Sequence, residues 1–550
     1  IILKNMKKIK PIEQISEELG ISPNDLELYG KFKAKIPLEN IKKNNNNSKL
    51  VVVTAITPTP LGEGKSTTAI GLTQGLGKLN KNVALTIRQP SLGPVFGHKG
   101  GGTGGGKATV EPAVDINLHF NGDFHAMESA HNLLAAMVDN NVYRSAISDF
   151  LPENVTWRRV TDAEDRSLRS IVTGIGGSST SPLRTTGFDI SSASEIMAIL
   201  ALTDSYEDLR ERLGNIVVGW KRDKTPVLAK EINAVGSMMA LLKDAVKPNL
   251  AQTVEGQPAI VHMGPFGNIA HGCSSILADH LATSYADFVI TEAGFGADLG
   301  FEKFMDIKVR QGGPKPFCAV IVTTIRGLKW HGGLDIKNLS EKNEKAIIDG
   351  SENLKNAINI VSKYGLKSVV AINMFPEDTS DEINLVKKIC EENNSVAIAA
   401  NGFSEGGEGM IELASYISEM EDNSQEISLL YDDKESPIKK VEKLANEIYS
   451  AEKVSWAPMT RTTLRLFEKQ GWDFPICMAK THLSVSADSK LRGAPTGHTL
   501  PIKEVRVLGG AKQIVTLAGD IITLPGLPSS PNAFDIDLDE NGEIINILST

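Results

Sequence analysis

The sequence is poor in cysteine, in aromatic residues and in excess positive charge, and it has no long apolar run. Its four cysteines, Cys273, Cys318, Cys390 and Cys477, are scattered without a CxxC pair. That argues against a disulfide framework or a structural zinc site and suits a reducing compartment. Lys and Arg number 58 against 67 Asp and Glu, a formal net charge of -9. A broad electrostatic grip on nucleic acid is not expected of such a chain, although local lysines and arginines can still build a pocket for a small anion. No apolar stretch approaches the roughly 20 residues of a membrane span. The first residues, IILKNMKKIKPIEQISEEL, turn acidic quickly and lack a signal-peptide cleavage site. The expected compartment is the cytoplasm, with neither nucleic acid nor membrane as partner.

What is present is an α/β pattern. LVVVTAI, residues 50–56, is continuous, apolar and β-branched, as a buried parallel strand reads. A glycine-rich turn, a helical stretch over 66–79 and a second strand, Val83 to Ile87, complete a βαβ unit and predict a parallel sheet. PAIVHM, DFVITEA, FCAVIVTTI and KSVVAINMF repeat the style, each ending in a polar or glycine-containing loop. In open α/β sheets such loops carry the ligands. Residues 150–250 are more helical and charged, and from about 437 the pattern turns to strands and turns. A chain of 550 residues is too long for one core, so several domains are expected.

The strongest local signal is Thr59-Pro60-Leu61-Gly62-Glu63-Gly64-Lys65-Ser66-Thr67, set between a buried strand and a helix, the context that a phosphate-binding P-loop needs. Gly62 and Gly64 let backbone N–H groups turn toward phosphate oxygens, and the helix start adds its positive dipole end. Lys65 would neutralise the β and γ phosphates, and the Ser66 hydroxyl would ligate the Mg2+ that accompanies ATP. Thr59 stands where the first glycine of the motif is usual. A magnesium-side carboxylate is expected near the end of a neighbouring strand, with Glu292 and Asp298 both as candidates.

Arg88 follows the second strand in Arg88-Gln89-Pro90-Ser91, placed to reach phosphate or carboxylate with its planar fork. GHKGGGTGGGK follows, with seven glycines among residues 97–106 and with Lys99 and Lys107. It reads as a second backbone anion cradle rather than a linker. DINLHFNGDFH, residues 115–125, alternates like a strand leading to a polar loop. Asp123 and His125 are candidates for proton handling or substrate contact; His262, just past a buried strand, is a third. None of these residues has zinc-site spacing.

TPTPLGEGKSTT, RQPSLGP, GHKGGGTGGGK and DINLHFNGDFHA, in this order, resemble the formate–tetrahydrofolate ligase (formyltetrahydrofolate synthetase) family in its monofunctional form. The likeness continues through GFDISSASEIMAIL, EAGFGADLGFEKFMDIK, TIRGLKWHGG, PICMAKTHLSVSAD and GAPTGHTLPIKEVR to GDIITLPGLP, essentially the whole chain. It implies a P-loop-type parallel-sheet domain with two further α/β domains. Residues 1–145 with about 255–365 would hold the nucleotide, about 146–254 would form a helical or α+β middle domain, and about 366–550 would contribute to the folate site. It implies ATP, formate and tetrahydrofolate as partners, a formyl phosphate intermediate, 10-formyltetrahydrofolate as product, and a homotetramer. Lys65 and Arg88 would be the catalytic pair, Arg88 matching the arginine that holds the formyl phosphate. The pterin would stack on Phe375, in AINMFP, and on Phe403, in GFSEGGEG, where the family has tryptophan. Phenylalanine keeps the stacking face with less area and no indole donor. Gln89 stands where several bacterial members carry a glutamate linked to a monovalent cation. A neutral amide binds a cation less strongly than a carboxylate, which leaves that requirement open. Two other readings of the P-loop stand beside this one: an acyl-phosphate-forming ligase acting on another small acid or a modified pterin, and a nucleotide-switched regulatory protein.

Overall fold

A computed structural model describes residues 9–42, 47–97, 101–177, 181–421 and 426–547. His98 and Lys99 of the glycine run, and the asparagines at 44–46, lie outside the described residues. The P-loop strand β1 (Lys49–Ala55) sits near the middle of the main sheet. Its partners, in chain order, are β2 (Val83–Ile87), β3 (Asn249–Thr253), β4 (Pro258–Val261), β5 (Phe288–Glu292), β6 (Cys318–Thr323), β7 (Ser368–Asn373) and β8 (Val396–Ala400). Across the sheet they run β3-β4-β2-β5-β1-β6-β7-β8. All neighbours from β4 to β8 are parallel, and β3 pairs antiparallel with β4. The expected α/β class with a parallel sheet is what the chain adopts. The sheet also runs on through β7 and β8, past the domain boundary expected near residue 366, because these two strands are as apolar as the ones before them.

Both faces of the sheet are covered, which is why its strands read as unbroken apolar runs. Val51, Val53 and Ala55 join Ile70, Leu72 and Leu76 of helix α1 (Lys65–Lys78) in one core. Leu50, Val52 and Ile56 face a second core with Leu281 and Leu354. A third core is shared between Met127, Leu134 and Val138 of α2 (Asp123–Tyr143), the middle segment around Ile196 to Leu202, and Ala479 and Val515 near the C-terminus.

The strand expected over 115–125 is not there. Residues Ala113–Asn117 form a short helix, and the chain turns through Phe120 at φ 44 and Gly122 at φ 87 into α2. The alternation was too short to set a period. Ile116 and Phe120 both enter the core beside β1, the first from the short helix and the second from the left-handed turn after it.

The middle and C-terminal segments are joined by Glu195, whose Oε1 accepts from Gly510 N at 2.7 Å and Ala511 N at 3.3 Å. Burial pushes its carboxyl up to about 8, against the pull of those two bonds. The folded state therefore holds a proton there that the unfolded chain releases, and this group's contribution to stability falls as pH rises from the ordinary carboxylate range to about 8. Glu195→Gln keeps an amide oxygen for both N–H groups. It should flatten the decline in Tm between pH 6 and pH 8.5; a variant whose Tm declines as steeply as wild type would show that Glu195 does not titrate there.

Candidate active site

The loop after β1 is shaped by its two glycines. Gly62 (φ 73) and Gly64 (φ 77) occupy the left-handed region, and Gly64 caps α1, so Lys65 and Ser66 open the helix. Thr59 has no positive φ, so a side chain is tolerated where the motif usually has glycine. The Gly62 N–H donates to Thr59 O at 3.0 Å, closing the turn. Glu63 does not face outward. Its Oε1 accepts from Thr59 N at 3.2 Å and its Oε2 from the Thr324 hydroxyl at 2.8 Å, beneath the loop. Burial raises its carboxyl, and the Thr324 and Thr59 bonds oppose the rise. Asn373, at the end of β7, donates to Glu63 O at 3.1 Å and supports the loop from the other side.

Neighbouring strand ends bring further groups to the loop. Ser66 donates to Glu292 Oε2 at 2.8 Å, so the last residue of β5 meets the first turn of α1. Asp298, the other carboxylate candidate, is instead buried against Lys480 at 2.7 Å. A hydroxyl and a single carboxylate converging beside a phosphate loop suit Mg2+, a hard cation that keeps most of its ligands as water and phosphate oxygens. Among the described residues no cluster of three or more His, Cys, Asp or Glu could hold a metal by itself. Arg88, beyond β2, is half-buried. Its Nε has no hydrogen-bond partner, and its only hydrogen bond to a described residue is a long one, Nη1 to Pro265 O at 3.5 Å. The fork is thus poorly used by the protein and available to an anion. The chain beyond it is pinned where Asp162 accepts from the Ser91 hydroxyl and from Leu92 N at 2.8 Å. Gln89 is 2% exposed, and neither atom of its amide finds a partner among the described residues.

The two aromatic candidates flank this loop. Phe375 follows β7, and its backbone N–H donates to Asp378 Oδ2 at 2.8 Å. Phe403, 51% exposed, lies against the glycine run: its carbonyl accepts from Lys107 N at 2.8 Å, and a Cβ on Gly105 would stand 3.2 Å from its ring. The described part of that run is a hairpin, Gly104–Gly105 pairing with 108–109, and not an open cradle. The Gly102 N–H is already given to Asn117 Oδ1 at 2.8 Å. Glycine is needed there for close approach; a Cβ on Gly106 would sit 2.2 Å from Phe403 O.

The hydrogen-bond partners of Asp123 and His262 among the described residues lie outside the loop after β1. Asp123 is 1% exposed and committed to Lys35 at 2.7 Å and to Asn249 Nδ2 at 2.6 Å. His125, two positions on, is exposed, so the pair does not face one another on α2. His262 bonds Ser275 Oγ at 2.6 Å and Ala245 O at 2.9 Å, and burial lowers it to about 4, a neutral structural imidazole. Sequence reasoning missed Arg326, Asn373 and Asp378; the first two lie in the strings TIRGLKWHGG and AINMFP, which could have marked them, and Asp378 lies just beyond the second. A cavity of about 890 Å³ between the middle and C-terminal segments, lined by Trp157, Arg158, Thr186 and Phe467, includes no residue of the phosphate loop. No described helix is long and apolar enough to cross a membrane.

Comparison with known proteins places essentially the whole chain beside one family. The sequence model of the formate–tetrahydrofolate ligase family covers residues 1–548. The formate–tetrahydrofolate ligase of Desulforamulus reducens is 48% identical over 550 residues, 98% of this chain and 97% of its own. That of Pelagibacter ubique is 48% identical over 544 residues, 98% and 97% of the two chains. That of Staphylococcus aureus is 46% identical over 548 residues, 99% of each.

A Cβ at residue 64 would meet Asn373 Nδ2 at 2.4 Å. The left-handed backbone alone costs alanine about 1–2 kcal/mol. Gly64→Ala should therefore lower Tm and weaken nucleotide binding together. Calorimetric unfolding and titration with ADP check this, and an unchanged Tm would contradict the geometry.

Proposed function

The chain belongs to the formate–tetrahydrofolate ligase family, and on that premise we propose that it ligates formate to tetrahydrofolate in two steps through formyl phosphate. The observation that carries the reading is the meeting of Ser66 with Glu292 at 2.8 Å beside Lys65, one strand away from the underused fork of Arg88. In the first step a formate oxygen attacks the γ-phosphorus of ATP, the new P–O bond replaces the bond to ADP, and formyl phosphate results. In the second the folate amine attacks the formyl carbon, a C–N bond forms as the C–O bond to phosphate breaks, the amine proton is lost to solvent, and 10-formyltetrahydrofolate and inorganic phosphate result. Activation is needed because formate has no usable leaving group, whereas phosphate is a good one.

The residues divide this work. Lys65 and the loop amides hold the phosphates and stabilise charge on the transferring group. Ser66 and Glu292 would hold the Mg2+ of the nucleotide, which neutralises charge between phosphates when bound. Arg88 orients formate and then formyl phosphate, and orientation supplies much of the rate. Phe375 and Phe403 offer stacking faces to the pterin. A homotetramer, carried over from the resemblance, is checked by sedimentation velocity.

A second reading rests on Phe403: an exposed phenylalanine in place of tryptophan leaves room for a modified pterin. Product formed from formate, Mg-ATP and tetrahydrofolate, read as the methenyl derivative after acid, separates the two. It should need all three substrates, and Lys65→Ala should reduce it by about 100-fold or more. Bound ATP with no product from tetrahydrofolate would move the substrate to another pterin or another acid. Glu292→Gln should raise the Mg2+ concentration needed for half-maximal rate without lowering Tm, and an unaltered Mg2+ dependence would remove Glu292 from the metal site.

A further inference from the structure

The guanidinium of Arg326 lies over the ring of Phe375, 3.6 Å from its centroid. Arg326 is the second residue of helix α3 (Ile325–His331), just beyond Thr324, which caps the helix through Gly327 N at 2.9 Å and donates to Glu63 of the phosphate loop. Its Nε is buried without a hydrogen-bond partner, and it makes no ion pair to a described residue. The charges facing it are Glu63, Glu377 and Asp378, which offset part of the cost of its burial. An arginine in a surface role would turn toward water or a carboxylate. Here the flat face lies on the ring while Nε is left without a partner, so the contact that fixes the plane of the guanidinium is the ring.

The same helix grips the loop after Phe375 a second time. Lys329 pairs with Glu382 at 2.8 Å, both buried, and Glu382 closes a capping box with Thr379 at the start of the helix Ser380–Glu392. Residues 375–382 are thus held at both ends by α3, through a stacked ring at one and an ion pair at the other. The Asp378 bond to Phe375 N sits between them.

We propose that Arg326 is a positioning residue for the pterin: by occupying one face of Phe375 it sets the tilt of that ring and leaves the opposite face as its stacking surface. The proposal rests on the reading of Phe375 as part of the folate site. Through Thr324 and Glu63, the same short segment carries both the pterin platform and the support of the phosphate loop, which gives a physical link between the two substrates.

The test is a double-mutant cycle on Arg326→Gln and Phe375→Leu in the full-length protein, with Arg326→Lys as the charge-conserving control. Tetrahydrofolate KM, kcat, ADP affinity and Tm are measured for each. Arg326→Gln should raise the tetrahydrofolate KM by about 5-fold to 10-fold, with ADP affinity and Tm near wild type, and should have little further effect once Phe375 is leucine. Arg326→Lys should resemble Arg326→Gln, since an ammonium cannot lie flat on the ring. Additive effects on KM, or a wild-type KM in the lysine variant, would overturn the stacking role. Product formation by wild type but not coupling between the two positions would sink this inference alone; no product from tetrahydrofolate in wild type would sink the ligase reading and this inference with it.

Discussion

The parallel ladder centred on β1 is the constraint on which the site depends. Glu292 pairs with Val53, Val322 with Ala55, and Ile372 with Thr323, so the carboxyl ends of β5, β1, β6 and β7 leave the sheet at nearly one level. Each end then delivers a different group: the phosphate loop from β1, Glu292 from β5, Thr324 and Arg326 from β6, Asn373 and Phe375 from β7. None of these side chains positions itself. A one-residue slip of any strand would send its terminal group to the other face, and the two apolar cores that clasp β1 make such a slip costly.

How much of this was legible follows from the range of each interaction. The strands were readable because both faces are buried, which leaves long β-branched runs with no polar interruption. The phosphate loop was readable because its glycine spacing is a local requirement. Glu292 was legible only as one of two candidates; that Asp298 is instead bound to Lys480, 182 residues away, leaves no local trace. The inward turn of Glu63 depends on Thr324, 261 residues on, and so leaves no local trace. Residues 115–125 misled because four alternating positions fit either period, and a left-handed Phe120 has no sequence mark. The family resemblance supplied Phe375 and Phe403, and periodicity alone would not have separated them from core aromatics.

Buried ion pairs form the layer beneath the site. Lys308 with Asp279, Lys480 with Asp298 and Lys329 with Glu382 are all nearly closed to solvent. Such pairs add little net stability, but removing one partner strands a charge in the interior, at a cost of about 3–5 kcal/mol. Their effect here is geometric. They tie the segment 297–309 to Asp279 and to the C-terminal strand region, and the loop 375–382 to α3, so the elements around the site are joined to one another.

The glycine hairpin and Phe403 meet through a backbone bond and a contact that leaves no space for a side chain. Two stretches nearly 300 positions apart along the chain are therefore bound to a common history of substitution. A lineage cannot enlarge residue 106 without first moving the loop that bears residue 403. It can, however, exchange the ring at 403 for another at little structural expense, because half of that ring faces open space. Evolutionary freedom in this region is thus concentrated on the ring at 403, and the scaffold around it is left nearly immobile under selection.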